Sequence, residues 1–248
     1  MSADVAANLA TVREKIRDAA VRSGRGADAV RLVLVTKTVD AERVRAAVRA
    51  GQIDLGENKV QEGRRKAGEL AGETVRWSMI GHLQSNKVKD VLRFACEVQS
   101  LDRLSLASAL EKRLQHLGQG LDVLVQVNTS NEASKYGLAP EDVPAFLSEL
   151  RAFDALRPRG FMTLARFTPD VAEVRRCFRV LRTIRDRATL DAPQGAGLAE
   201  LSMGMSGDYE VAIEEGATIV RVGQAVFGPR PLPDSHYWPD LAAASGGR

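Results

Sequence analysis

The chain has 248 residues, 44% of them apolar and 27% charged, with a formal net charge of +3. This is the composition of an ordinary globular protein, and with basic and acidic residues interspersed and no long run of one sign it argues against a nucleic-acid-binding stripe. Two cysteines, Cys96 and Cys177, are too few for a disulfide framework, and no apolar run reaches the length of about eighteen residues that a membrane span needs.

The N-terminal stretch MSADVAANLATVREKIRDAA carries Asp4, Glu14 and Asp18 and lacks the apolar core of a signal peptide. It reads as an amphipathic helix, and the protein is expected to be cytoplasmic. Arg31–Thr36 (RLVLVT) is the first strand. A helix begins near Asp40, places apolar residues at helical spacing through AERVRAAVRAG and stops at Gly51. Ile53–Leu55 and Val75–Ile80 follow as strands, with a helix from Asn58 between them. Ser85 starts another helix, Ala95–Val98 is the fourth strand, and Asp102–Leu117 is helical. Leu121–Val127 is a strand by its valine content, and Pro140 opens a helix to about Leu150. Leu156–Met162, Leu198–Ser202 and Thr218–Val222 complete the strands, separated by a helix over Asp170–Ala188 and another from Ser206. The tail LPDSHYWPDLAAASGGR, from about residue 232, mixes Pro, Gly and small residues and is expected to fray.

Strands that alternate with helices pair in parallel, because only a crossover helix returns the chain in the same direction. Eight such units in 248 residues fit a closed barrel. The expected fold is therefore α/β: a single (β/α)8 TIM barrel with an extra N-terminal helix, one domain over residues 1–248. An open doubly wound sheet is the alternative. No GxGxxG follows the first strand, which weakens its dinucleotide-binding form.

In such a barrel, function collects where strands end at the C-terminal face. Lys37 directly follows RLVLVT, at the mouth. A pocketed lysine loses charge stabilisation, and its neutral amine can attack an aldehyde; an edge lysine snorkelling to solvent is the alternative. After the seventh strand the chain reads LSMGMSGDYEVAIEEG, with Gly204, Gly207 and Ser206 at an expected helix N-terminus. Free amides and the helix dipole there favour an anion. The eighth strand ends in VRVGQAVFG, with Gly223 at the turn. Either loop alone is explained equally well by a tight turn and a capped helix. Both together, placed across the mouth from a first-strand lysine, fit a phosphate clamp better. Amine and clamp together fit a phosphate-bearing carbonyl compound held as a Schiff base on Lys37, either pyridoxal 5′-phosphate (PLP) or a sugar phosphate.

Alternation puts Ile219, Arg221 and Gly223 on one face of the eighth strand. An arginine there needs an acceptor. A PLP ring nitrogen and a carboxylate across the helix layer serve equally well. Contact with the ring nitrogen would disfavour its protonation and weaken the ring as an electron sink. Asn58 suits a phenolic oxygen, or caps the next helix. Lys135, in NTSNEASKYG, is a second amine, expected to face solvent on a mobile loop. His82 has no His or Cys at metal-ligand spacing, so no zinc site is expected.

These residues carry a family likeness. By LVTKT at 34–38, LGENKVQEG at 55–63, IGHLQSNK at 80–87, VQVNTSNEASKYG at 125–137, GFMTL at 160–164 and LSMGMSGDYEVAIEEGATIVRVGQAVFG at 201–228, the chain resembles the pyridoxal phosphate homeostasis proteins. These share their barrel with the N-terminal domain of alanine racemase. The likeness runs from about residue 5 to about residue 230. It implies a PLP-binding protein without established catalytic turnover, which buffers or delivers PLP, with PLP-dependent apoenzymes as recipients. It also implies Lys37 as the Schiff-base lysine, Met205, Ser206, Gly223 and Gln224 around the phosphate, Arg221 near the pyridine nitrogen and Asn58 in the pocket. Gln224 stands where Thr is frequent and Thr36 where Ser is common, so the contact at 224 falls to the backbone amide. The second function weighed is a PLP-dependent amino-acid racemase. Racemisation by two bases needs an acid/base on each face of the α-carbon, one of which alanine racemase-like enzymes take from a C-terminal domain and a partner subunit. The sequence leaves no room for such a domain after the eighth strand, and a monomer is expected. A Schiff-base aldolase is a third reading, disfavoured because aldolases usually carry the lysine on a later strand.

Overall fold

Strand-forming runs such as RLVLV are apolar at successive positions because both faces of a parallel strand are covered, and Leu32, Val33 and Leu34 are all buried. The computed structural model describes residues 2–191 and 197–229. Its strands are β1 (Arg31–Val35), β2 (Asp54–Glu57), β3 (Arg76–Met79), β4 (Ala95–Leu101), β5 (Leu121–Gln126), β6 (Leu156–Met162), β7 (Glu200–Ser202) and β8 (Ile219–Val222). They form a closed parallel barrel in chain order, β8 returning to β1 with Val33 opposite Arg221. The expected (β/α)8 barrel is the fold observed.

Outside it lie α1 (Ser2–Arg22), α2 (Ala41–Arg49), α3 (Val60–Glu69), α4 (Val88–Val91), α5 (Leu104–Leu117), α6 (Val143–Leu150), α7 (Val171–Asp191), α8 (Tyr209–Glu214) and α9 (Gln224–Phe227). The extra N-terminal helix α1 buries Val5, Leu9, Val12, Ile16 and Ala19, at helical spacing, in the main core. Asp40 caps α2 by accepting from the Arg43 amide. A small separate cluster of Val33, Leu124, Met162 and Ile219 fills part of the barrel interior.

The interior also carries a polar column. Arg221 donates to Ser202, Ser202 to Gln99, and Gln99 to Glu97, which pairs with Arg31 on β1.

Several element boundaries differ from expectation. β2 starts at Asp54 and runs on to Glu57, because Gly56 and Glu57 pair with Ser78 and Met79 while Ile53 is 45% exposed. The helix expected from Ser85 is a 3-10 turn (Ser85–Lys87) followed by the single turn of α4. The helix expected from Ser206 begins only at Tyr209, as α8. The tail from about residue 232 lies outside the described residues. Among the described residues, no helix is long and apolar enough to cross a membrane.

Candidate functional site

A cavity of about 1140 Å³ opens at the C-terminal ends of the strands. Lys37, Asn58 and Arg221 line it, as do Met205, Ser206, Gly223 and Gln224. All seven residues singled out in the sequence therefore face one space.

Lys37 stands two residues past the end of β1, half-buried. The turns after β7 and β8 lie beside it rather than across the mouth, correcting the sequence expectation, because β8 closes the barrel against β1. Contact there is tight. A Cβ on Gly223 would come within 2.9 Å of the Val35 carbonyl oxygen, so any larger residue would push the turn off the end of β1.

Ser206 does not stand at the start of the helix that follows it. Its Oγ faces the start of α9 instead, accepting from the amides of Gly223 and Ala225, each at 3.3 Å. These are long bonds for one hydroxyl serving two donors. The Met205 amide donates to Asp208 Oδ1 at 2.5 Å, and the Asp208 and Tyr209 amides return to the Met205 carbonyl. That turn is what delays α8. Burial pushes the Asp208 carboxyl above the usual carboxylate range, with the Met205 amide and the charge of Arg221 pulling the other way. Gln224 is the first residue of α9, and its carbonyl accepts from the Gly228 amide.

Arg221 is buried, donating to Ser202 Oγ at 2.6 Å and to the Thr163 carbonyl at 2.8 Å. Among the described residues no carboxylate comes within ion-pair reach of it, so the carboxylate reading is not realised. Burial pulls its pKa down to about 10, which still leaves it charged near neutrality.

Asn58 does not cap α3, whose N-cap is Lys59 with no side-chain bond. The end of β3 presses on it: a Cβ on Gly81 would fall 2.3 Å from the Asn58 carbonyl oxygen. Lys135 contradicts expectation. Its side chain is only 10% exposed, pairs with Glu132 at 2.5 Å and donates to the Ala165 carbonyl at 2.8 Å. Asn128 ties down the same loop by donating to the Glu132 and Lys135 carbonyls. At the rim His82 stacks on Tyr136 with ring centroids 3.8 Å apart.

Sequence reasoning missed the buried lysine of α3. Lys66 is 0% exposed and pairs with Glu57 and Glu62, both at 2.7 Å, beneath the Lys37 segment. Its i,i+4 spacing to Glu62 was visible, but that is the usual signature of a solvated helix face.

A family model described as the N-terminal domain of alanine racemase matches residues 7–231. The pyridoxal phosphate homeostasis protein of Pseudomonas aeruginosa is 43% identical over 226 residues, covering 91% of this chain and 96% of that protein. The chain belongs to the pyridoxal phosphate homeostasis protein family. A second member of this homeostasis family, from Aquifex aeolicus, is 39% identical over 222 residues, covering 90% of this chain and 96% of that protein. The solved structure of PipY from Synechococcus elongatus with PLP bound superposes with a TM-score of 0.80 at 33% identity, covering 90% of this chain and 100% of that one. Alanine racemase from Clostridium difficile, at 18% identity and a TM-score of 0.66, shares the fold with this homeostasis-family chain over 83% of it and 53% of the racemase.

Proposed function

We propose that this protein binds PLP as a Schiff base on Lys37 and serves intracellular PLP homeostasis without catalytic turnover. The observation that carries the reading is the sharing of one cavity by an amine and an anion cradle on neighbouring strand ends. The chain's own residues suit the group. The amides of Gly223 and Ala225, at the start of α9, share one hydroxyl at long distance and have room for a stronger acceptor such as a phosphate. Arg221 keeps its charge in the cavity wall without a carboxylate, as a donor toward a ring nitrogen would. Met205, Ser206, Gly223 and the Gln224 amide then surround the phosphate, and Asn58 meets the phenolic oxygen. When bound, PLP supplies an aldehyde that an amine can hold reversibly. The protein holds and orients it. PLP-dependent apoenzymes are the recipients, and the protein works as a cytoplasmic monomer.

The family name, and the PLP in the PipY structure, support this reading over racemisation. The near-complete coverage of the homeostasis relatives points the same way.

The test is the absorbance of purified protein before and after borohydride, with mass mapping of the reduced adduct. A violet-region band that is lost in Lys37→Ala, and an adduct on Lys37, are expected. An unchanged band in that variant would overturn the assignment and move the anchor to Lys135. Racemisation of amino acids by the PLP-loaded protein at an ordinary enzyme rate, about 10 s⁻¹, would overturn the absence of turnover.

A further inference from the structure

Behind the wall of the cavity, α3 reaches the backbone on both sides of Lys37. Along β1 and just past it, Val35 and Lys37 face the cavity, while Leu34 packs in the main core and Thr36 is fully buried. On that outer side Lys66 spends its three ammonium protons on the Thr36 carbonyl, on Glu57 Oε1 and on Glu62 Oε1. Thr36 Oγ1 donates to the same Glu57 oxygen at 2.6 Å. The Thr38 amide donates to the same Glu62 oxygen at 2.7 Å. Thr38 also takes φ +64°, a left-handed conformation that a branched side chain adopts only when its surroundings impose it. The residues before and after Lys37 thus both end on one ammonium and its two carboxylates.

Stability does not explain such a cluster. Burying a lysine costs several kcal/mol before pairing, on the order of what the pair returns, and an apolar residue would fill the space as well. Glu57 Oε2 is left buried without a hydrogen-bond partner, a further cost. The arrangement fixes position instead.

We infer that Lys66, with Glu57 and Glu62, is a positioning device that sets the backbone around Lys37 so that its amine meets the aldehyde of PLP. This rests on Lys37 being the anchor, as proposed above. Reaction between a held amine and a held carbonyl needs approach to within about 3–3.5 Å, and a displacement of about 1 Å costs up to about 100-fold in rate. The same displacement strains the bond once formed and so lowers the equilibrium advantage of the aldehyde.

The test compares equilibrium affinity for PLP with that for pyridoxamine 5′-phosphate, which has the same ring and phosphate but no aldehyde. The ratio of the two isolates what the bond to Lys37 adds, and Lys37→Ala sets the ratio without it. In Lys66→Met, pyridoxamine 5′-phosphate should bind within about twofold of wild type while PLP weakens at least about tenfold. Should the lone Glu57 prevent folding, Lys66→Met/Glu57→Gln removes both charges and should show the same split. Glu62 is partly exposed, so Glu62→Ala should fold; it releases the Thr38 amide and one Lys66 proton but leaves Lys66 on Glu57 and the Thr36 carbonyl, and should show a smaller split of the same sign. Equal weakening of both ligands, or a wild-type ratio in the folded variants, would overturn the positioning role alone. A wild-type protein with no preference for the aldehyde would overturn the Lys37 anchor and this role together.

Discussion

Arg221 sits in the barrel wall with a hydroxyl and a carbonyl for company, and burial has already pulled its pKa down to about 10. A buried guanidinium without a carboxylate is a net cost to the fold. Arg221→Met should therefore leave the apo protein as stable as wild type, within about 1 kcal/mol, because the lost hydrogen bonds are offset by relief of the buried charge. PLP affinity should fall in the same variant. A loss of stability above about 3 kcal/mol on urea denaturation would show that the arginine is structural. Ser206→Ala is milder. Its Oγ makes two 3.3 Å bonds near the cavity surface, where water can replace it, so stability should drop by less than about 1 kcal/mol while PLP dissociates faster. Retention equal to wild type in a spin-column assay would remove the hydroxyl from the phosphate site. Lys37 and Arg221 were legible in the sequence because strand alternation is a local rule that tertiary contacts rarely alter. Lys66 and Lys135 were not. A long flexible amine goes where distant segments offer acceptors, here Thr36 and Ala165, each 30 residues away in sequence.

The two turns that cradle the proposed phosphate owe their shapes to different contacts, and a pair of alanine substitutions separates them. A Cβ at Gly223 would meet Val35 backbone, which cannot yield cheaply, so Gly223→Ala should cost about 1–3 kcal/mol and weaken PLP binding through displacement of α9. At Gly207 the added Cβ meets open space, so Gly207→Ala should leave stability unchanged and act, if at all, on binding. Thermal melts of both variants without ligand check the contrast, and equal melting temperatures would contradict it. Strand and helix order was readable from periodicity along the whole described chain. Starting points were less so. Asp208, by taking the Met205 amide, holds three residues out of α8 that the pattern assigned to a helix, and a side chain bonded to its neighbour's backbone leaves no periodic trace. Register was hidden too. Residue-to-residue pairing such as Val33 with Arg221 leaves no local trace, although the expected closed barrel already implied that β8 neighbours β1, which puts the proposed phosphate turn beside Lys37 rather than facing it.

Over the whole molecule, ionisable groups pull the pH dependence of stability in two directions. Burial pushes the carboxyls of Glu57, Asp208 and Glu200 above their usual values. A folded-state pKa above the unfolded one means that the folded chain takes up protons first as pH falls. Stability from these groups is complete below the unfolded value of about 4 and is lost as pH rises through their folded values. Glu215, at the end of α8, is the opposite case. Burial alone would raise its pKa, but Arg179 and Arg175, with Arg182 nearby on α7, hold it below the usual carboxylate range. Its contribution is present above about 4.5 and is lost as pH falls through the folded value. As pH falls from 7 toward the unfolded carboxylate values, protonation of the first set should hold stability level or raise it. As pH falls through the folded value of Glu215, the clamp between α7 and α8 protonates and stability should fall. Glu215→Gln separates the two limbs: it should be less stable than wild type at pH 7, with the difference shrinking as pH falls through the folded value of Glu215, while the behaviour above pH 5 stays that of wild type. Urea midpoints measured across that range decide it, since a difference independent of pH would show that packing rather than charge joins the two helices.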